Sequence, residues 1–152
     1  MVQLAADIRG VMIPLTDAKI LLPNASVSEV ITYGDPQAVA DAPEWVLGTI
    51  TWRGWRIPLV SFSLMAGQAA NENTSGAKVA ILKALGGSAN MPYMALLAQG
   101  FPRLTTITEE NLLLEGNQED LPEGVSHVVS VNDEAAFVPD LDGIEERLAG
   151  IL

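Results

Sequence analysis

The chain contains no cysteine and a single histidine, His127. Disulfide frameworks, thiolate zinc sites and cysteine nucleophiles are therefore excluded, and one chain cannot build a metal site from several histidines. Aromatic residues are also few, at 5% of the 152 residues. The scarcity of metal-binding and nucleophilic side chains predicts a protein that binds neither a metal nor a cofactor.

Basic residues are scarce as well: 8 Lys and Arg stand against 19 Asp and Glu, a net charge of −11. Such a balance disfavours nucleic acid and anionic membrane surfaces as partners. The longest apolar run, 93–98, has the length of a strand, whereas a membrane helix needs about 18 residues. Asp7 and Arg9 fall where a signal peptide would be apolar. We therefore expect a cytoplasmic protein without direct membrane insertion.

Catalytic motifs are missing too. There is no Gly-x-Ser-x-Gly elbow and no phosphate-binding glycine loop, and the Asp140–Gly143 stretch lacks the later ligands of a calcium loop. His127 alternates with apolar residues, which is typical of a half-buried or surface strand histidine. The carboxylate pairs at 109–110, 119–120 and 145–146 are adjacent residues that point in different directions, so we expect solvated surface charge. The sequence predicts that the chain is not an enzyme.

Short apolar runs separated by Gly, Pro, Asn and Asp make up most of the chain, a pattern typical of a β-rich barrel or sandwich. About nine strands and one carboxyl-terminal helix are predicted within a single domain, 1–152. The polar segment 67–76 is the expected break between two halves. A short helical turn is expected at 108–114, and Asp142 is expected to cap a helix at 143–148 that Gly150 closes. The predicted strands are 8–15, 18–22, 46–53, 56–62, 78–85, 93–98, 101–107, 125–131 and 134–139, with 27–33 either a strand or a helical turn.

Residues 45–70 differ from the rest of the chain because they contain no acidic residue. The region holds all three tryptophans and two arginines, the residue types most enriched in binding hot spots. Two interpretations remain open at this point: a core hairpin with a snorkelling arginine, or a protein-binding edge that is positive within an acidic domain. Strand alternation predicts Val46, Gly48, Ile50 and Trp52 on one face, and Leu47, Thr49, Thr51 and Arg53 on the other.

The sequence PEWVLGTITWRGWRIPLVSF at 43–62 resembles the signature of CheW-like chemotaxis coupling proteins. In that family a proline-containing loop leads into a strand ending in Gly-Val-Ile-Asn-Leu-Arg-Gly, and a strand with Ile/Val-Pro-Val/Leu-Val/Ile follows. Segments 21–31, 94–112 and 131–148 resemble further parts of the family in the same order. The Asn-Leu of the signature is Thr51-Trp52 here, and the Val-Asp of the central turn is Ala98-Gln99. The tryptophan-rich signature resembles coupling proteins of systems that control type IV pili and twitching.

The resemblance implies a mainly β fold of two intertwined five-stranded SH3-like barrels with a short carboxyl-terminal helix. It implies no catalysis. Such adaptors bridge the cytoplasmic tip of a methyl-accepting chemoreceptor to the regulatory domain of a histidine kinase, in pseudo-symmetric rings recruited to membrane-associated receptor arrays.

The residues that match the family's receptor groove and signature are Val27, Glu29, Gly48 and Arg53. Glu29 and Arg53 are expected to fix register through charge, and Gly48 to permit a close backbone approach. Met94 and Leu96 are expected to line the groove, and Trp52 and Trp55 to anchor a kinase or receptor unless they pack in the core. The acidic residues of 109–123 are expected to be peripheral. The alternatives are an auxiliary scaffold, a module that binds a small ligand in a cleft between the barrels, and a hydrolase with an unrecognised site.

Overall fold

The computed structural model describes residues 8–84, 92–116 and 119–151, which form eleven strands and two α-helices. A 3-10 turn at Asn24–Ser26 separates the second and third strands. The strands are β1 (Ile8–Leu15), β2 (Ala18–Pro23), β3 (Val27–Thr32), β4 (Val46–Trp52), β5 (Trp55–Val60), β6 (Lys78–Lys83), β7 (Tyr93–Ala98), β8 (Arg103–Ile107), β9 (Leu112–Leu114), β10 (Val125–Val131) and β11 (Glu134–Pro139). The helices are α1 (Phe62–Met65) and α2 (Leu141–Ile151).

The strands form two sheets whose members are interleaved along the chain. One sheet has six strands in the order β8-β1-β2-β11-β10-β9, and the other has five in the order β3-β6-β7-β5-β4. Neighbouring strands are antiparallel except for the short parallel contacts of β2 with β11 and β5 with β7. The chain therefore begins in the six-stranded sheet, builds the whole five-stranded sheet, and then returns.

Each sheet is apolar on both faces, which is what two barrels packed together require. Along β6, Ala80 and Leu82 face a core shared by the two sheets, whereas Val79 and Ile81 belong to a separate cluster inside the five-stranded sheet. The six-stranded sheet has an interior cluster of its own. The expected two-barrel architecture is confirmed, with six and five strands in place of five each. The six-stranded interior consists of Met12, Leu21, Ile107, Val129, Val131 and Ala136.

The segment 67–76 does not divide the sheets, so the expected break is in the wrong place. It connects α1 to β6, and strands of the five-stranded sheet lie on both sides of it. Glu72 fastens this segment: Thr16 donates a hydrogen bond to its carboxylate at 2.6 Å, and buried Ser61 donates a second one. Local composition predicted a polar connection correctly, but the sheet to which each strand belongs depends on long-range pairing.

The carboxyl-terminal helix begins earlier than expected. Its first residue is Leu141, and the side chain of Asp140, not of Asp142, accepts a hydrogen bond from the Gly143 N–H at 3.1 Å. The helix buries Ile144 and Leu148 in the shared core. Glu145 is only 4% exposed, so the expectation of solvated charge is wrong for this carboxylate.

Candidate partner-binding site

The tip of the β4–β5 hairpin is a two-residue turn that presents Arg53. Trp52 pairs with Trp55, and Arg53 and Gly54 between them have φ angles of +49° and +82°. Positive φ at both central positions is the geometry of a type I′ turn, whose twist matches that of the flanking strands. Gly54 adopts this conformation without steric cost, because it has no Cβ. The turn therefore fixes the direction in which the arginine leaves the sheet.

Glu29 on β3 brings the hairpin tip and the opposite edge of the sheet together. Its Oε1 accepts hydrogen bonds from Trp52 Nε1 and from Arg53, each at 3.0 Å. The Arg53 guanidinium also lies 4.9 Å from the centre of the Trp52 ring, within range of a cation–π interaction. The Arg53 side chain is 70% exposed and that of Glu29 is 39% exposed. Glu29 and Arg53, both expected to fix register through charge, thus form an ion pair at the surface.

The two hairpin tryptophans differ in burial. Trp52 is 8% exposed and packs inside the five-stranded sheet, whereas Trp55 is 42% exposed. Tyr93 contacts both in edge-to-face arrangements, with ring centroids 4.8 Å from Trp52 and 6.2 Å from Trp55. Trp52 is therefore a core residue, whereas Trp55 keeps the exposed area that an anchor for a partner needs. We call Glu29, Trp52, Arg53, Trp55 and Tyr93 together the hairpin surface.

Gly48 permits a close backbone approach, but the approaching backbone belongs to the same chain. Its φ is +144°, and a Cβ built on it would lie 2.4 Å from the Gln37 carbonyl oxygen. Thr49 and Gln37 exchange two main-chain hydrogen bonds of 2.8 Å beside it. The glycine thus allows the loop after β3 to close onto β4.

The predicted alternation along β4 fails at its start. Val46 packs in the shared core, whereas Ile50 and Trp52 belong with the interior of the five-stranded sheet. The cause is a register shift between Val46 and Gly48, where one extra residue opposes β5. A bulge of this kind moves the residues before it to the other face, and nothing in the alternating pattern marked its position.

Three other predicted site residues lie close to the shared core. Val27 is half-buried and packs against it. Met94 and Leu96 are 0% exposed and belong to it. The expectation that Met94 and Leu96 line an open groove is therefore wrong, because alternate residues of β7 point between the sheets. An open apolar groove of about 490 Å3 does lie beside β2 and β11, but none of the predicted site residues lines it.

Sequence reasoning missed a second exposed apolar surface. Leu112, Leu113 and Leu114 are 36%, 54% and 65% exposed and form β9, at one edge of the six-stranded sheet. We call these three residues the leucine edge. Exposed Glu109, Glu110 and Glu115 flank it in sequence. The helical turn expected at 108–114 is wrong for these residues, because Leu112–Leu114 form a strand. The run of leucines within an acidic segment was the available signal of an exposed apolar site.

The described residues give little scope for acid–base or metal chemistry. Among them, no group of three or more His, Asp or Glu side chains could hold a metal ion. His127 is exposed on β10 and its Nδ1 lies 2.8 Å from the Ser126 hydroxyl, which confirms a surface strand histidine. Burial and the nearby charge of Asp35 raise the pKa of Tyr33. No helix in the described part of the chain is long and apolar enough to cross a membrane.

The comparisons with known proteins agree with this geometry. The model of the CheW-like domain family matches residues 9–148. The chain belongs to the CheW-like family. Among solved structures, the scaffolding protein TtCheW from Thermoanaerobacter tengcongensis has a similar fold, with a TM-score of 0.71, 17% sequence identity, and coverage of 88% of this chain and 84% of that one. None of the curated protein sequences matches the chain significantly. The predicted family and the mainly β, SH3-like fold are thus confirmed.

Proposed function

We propose that this chain is a non-catalytic adaptor in bacterial chemosensory signalling that couples the cytoplasmic tip of a chemoreceptor to the regulatory domain of a histidine kinase. Membership of the CheW-like family supports an adaptor role in general. The observation that carries the proposal is the hairpin surface, where an exposed ion pair and an exposed tryptophan are held on a rigid strand framework. Recruitment to membrane-associated receptor arrays and a role in pilus control follow from the resemblance and belong to the same proposal.

The hairpin surface is proposed as the receptor contact. Val27 and Glu29 start the strand that faces the hairpin tip, so a receptor helix can place apolar side chains near Val27 and polar ones at the Glu29–Arg53 pair. The pair is exposed, so it contributes little to stability, typically below about 1 kcal/mol. The function proposed for the pair is to fix the register of a bound helix through charge.

The leucine edge is proposed as the kinase contact. An adaptor needs two surfaces, and this one belongs to the other sheet from the hairpin surface. Three exposed leucines on an edge strand offer both apolar area and free strand edge to a second β domain. The acidic residues around them would then steer a partner of opposite charge and remain peripheral to the contact itself.

A titration of purified protein with a receptor tip fragment tests the proposal. We expect saturable binding that weakens at least tenfold in Arg53→Glu, because the reversed charge repels Glu29 and the receptor group that Arg53 meets. The matched control is Arg147→Glu on α2, which breaks a similar surface pair with Glu123. Equal binding by wild type and Arg53→Glu, with both folded by circular dichroism, would remove the hairpin surface from the receptor contact.

The alternative of a small-ligand module in a cleft between the barrels receives no support from the packing. The space between the sheets is filled by side chains, among which Ile13, Phe62 and Leu82 are 0% exposed. The open groove beside β2 and β11 lies at the margin of that core.

A further inference from the structure

One residue from each strand of the five-stranded sheet stands at the same end of that sheet. Trp52 ends β4 and Trp55 begins β5, and the two stand opposite each other. Lys83 ends β6 and stands opposite Tyr93, the first residue of β7. Glu29, near the start of β3, completes the circle by accepting the hydrogen bond from Trp52. We call these five residues the rim.

The rim side chains belong to the interior side of the five-stranded sheet. Alternate residues of a strand share a face, and residues that stand opposite each other share one too. Ile81 lies in the interior cluster, so Lys83, two residues further along β6, points to the same side. Trp52 and Tyr93 pack with that cluster as well. The rim therefore covers one end of the sheet interior, and Trp55 and Lys83 remain exposed there.

The charges at the rim do not balance. Glu29 already binds Arg53 of the adjoining turn at 3.0 Å. Lys83 forms no ion pair within the part of the chain that the structure describes. Arg56 points to the other face of β5, where it donates a hydrogen bond to the Thr49 hydroxyl at 3.1 Å. The rim and its turn thus have one positive charge in excess, and that charge is on Lys83.

Four of the five strands around the rim come from a stretch of sequence that is poor in acidic residues. Residues 45–108, which include β4 to β7, contain five basic residues and one acidic residue, Glu72. Glu72 accepts hydrogen bonds from Thr16 and Ser61, and Ser61 follows the end of β5 that is opposite to the rim. The rest of the chain supplies all other acidic residues. A partner at the rim therefore meets a basic part of an acidic protein, which favours an acidic partner.

Trp55 supplies the apolar contact of the rim, and neighbouring rings hold it in place. The Tyr93 ring lies between the two tryptophans, with centroids 6.2 Å from Trp55 and 4.8 Å from Trp52. Trp52 is itself buried, and its Nε1 donates to Glu29 at 3.0 Å. An aromatic side chain that is ordered before binding loses little conformational entropy when a partner packs on it.

We propose that Lys83 and Trp55 together select the residues that a receptor helix places on the rim. The helix presents an acidic residue beside a large apolar residue on one face: the carboxylate pairs with Lys83, and the apolar side chain packs on Trp55. Glu29 and Arg53 keep the register role proposed above. The inference rests on the proposed adaptor function, and it adds Lys83 and the charge of the partner residue to that contact.

The test is a double-mutant cycle between the full chain and the receptor tip fragment. Lys83→Met keeps the apolar stem and removes the charge, while each Asp and Glu of the fragment is changed in turn to its amide. We expect Lys83→Met to weaken binding about fivefold, as for a pair worth about 1 kcal/mol. One amide substitution in the fragment is expected to weaken binding to wild type equally and to leave binding to Lys83→Met unchanged within about twofold.

Charge reversal provides the second measurement. Lys83→Glu is expected to lose roughly tenfold or more in affinity, because the new carboxylate repels the acidic residue of the helix. Arg147→Glu on α2 makes the same change in net charge and is expected to bind like wild type. Equal binding by wild type and a folded Lys83→Glu, or absence of coupling at every acidic position, would overturn the inference. A loss in Arg53→Glu would then leave the adaptor function standing, whereas absence of wild-type binding would overturn both.

Discussion

The hairpin surface and the leucine edge are the two surfaces that we propose as partner contacts, and they are built in opposite ways. At the hairpin surface, the exposed Trp55 stands beside a buried tryptophan, and Arg53 is held by Glu29. At the leucine edge, three leucines are exposed in a row on a three-residue strand, which among the described strands pairs with β10 alone. The first region holds one ion pair and is supported by contacts between two strands, whereas the second is flanked by acidic residues and sits on a short edge strand. A partner that binds the first must fit a preformed shape, whereas one that binds the second can complete the sheet.

The largest difference should appear between the two hairpin tryptophans. Trp52→Ala removes a ring that packs against the interior of the five-stranded sheet, so we expect a loss of about 3–5 kcal/mol in the free energy of unfolding. Trp55→Ala changes a half-exposed ring, and a loss below about 1 kcal/mol is expected. Chemical denaturation of both variants measures the contrast. Equal losses would mean that Trp55 is as much a core residue as Trp52.

Gly48→Ala tests whether the pairing of Gln37 with Thr49 on β4 depends on a glycine. The added Cβ would clash with the Gln37 carbonyl oxygen and force an L side chain into an unfavourable φ, so we expect a loss of roughly 1–3 kcal/mol from backbone strain alone. Gly34→Ala is the matched control, because a Cβ there meets nothing within 4 Å. A Gly48→Ala protein as stable as the Gly34→Ala one would contradict the account of β4.

Leu114→Glu separates the two surfaces by binding. The side chain is 65% exposed, so a change in stability within about 0.5 kcal/mol is expected. Binding of the kinase regulatory domain is expected to weaken at least tenfold, because a buried leucine contact is replaced by a desolvated carboxylate. Isothermal titration calorimetry measures the affinity of the variant for this domain. Undiminished affinity in the folded variant would exclude the leucine edge as the kinase contact.

The smallest effect concerns a surface ion network on the six-stranded sheet, centred on Glu134. Hydrogen bonds from Lys19, at 2.5 Å, and from Arg103 lower the pKa of Glu134 below its usual 4.5. A lowered carboxyl pKa adds stability that is present above the unfolded-state pKa and is lost as the pH falls through the folded-state value. The groups are partly exposed, so each pair contributes about 0.2–1 kcal/mol. We expect Glu134→Gln to be less stable than wild type at neutral pH by that amount. The difference should vanish in acid below the lowered pKa, as thermal denaturation across pH can show.

The local sequence pattern predicted much of the fold because turn-forming residues mark the ends of most strands. β1, β7, β10 and β11 begin and end at the predicted residues, where Asp, Asn, Gly or Pro stops an apolar run. Two features depended on contacts far apart in sequence and were not predictable: the bulge in β4, set by closure of Gln37 onto Thr49, and the assignment of strands on both sides of 67–76 to one sheet.

The candidate site was also predictable only in part. The family signature located Glu29 and Arg53, and the structure brings them together. It could not show that Met94 and Leu96 point into the shared core, because both faces of β7 are apolar and either assignment fits the sequence. The leucine edge escaped notice because a run of three leucines has neither the period of a strand nor that of a helix.

The most direct test of the account is a two-by-two titration. Arg53→Glu and Leu114→Glu would each be titrated with a receptor tip fragment and, separately, with the regulatory domain of the kinase. The account predicts a crossed result: Arg53→Glu loses at least tenfold in affinity for the receptor and keeps its affinity for the kinase, and Leu114→Glu does the reverse. If both variants lose affinity for the same partner, or neither loses affinity for any, the assignment of one surface to each partner is wrong.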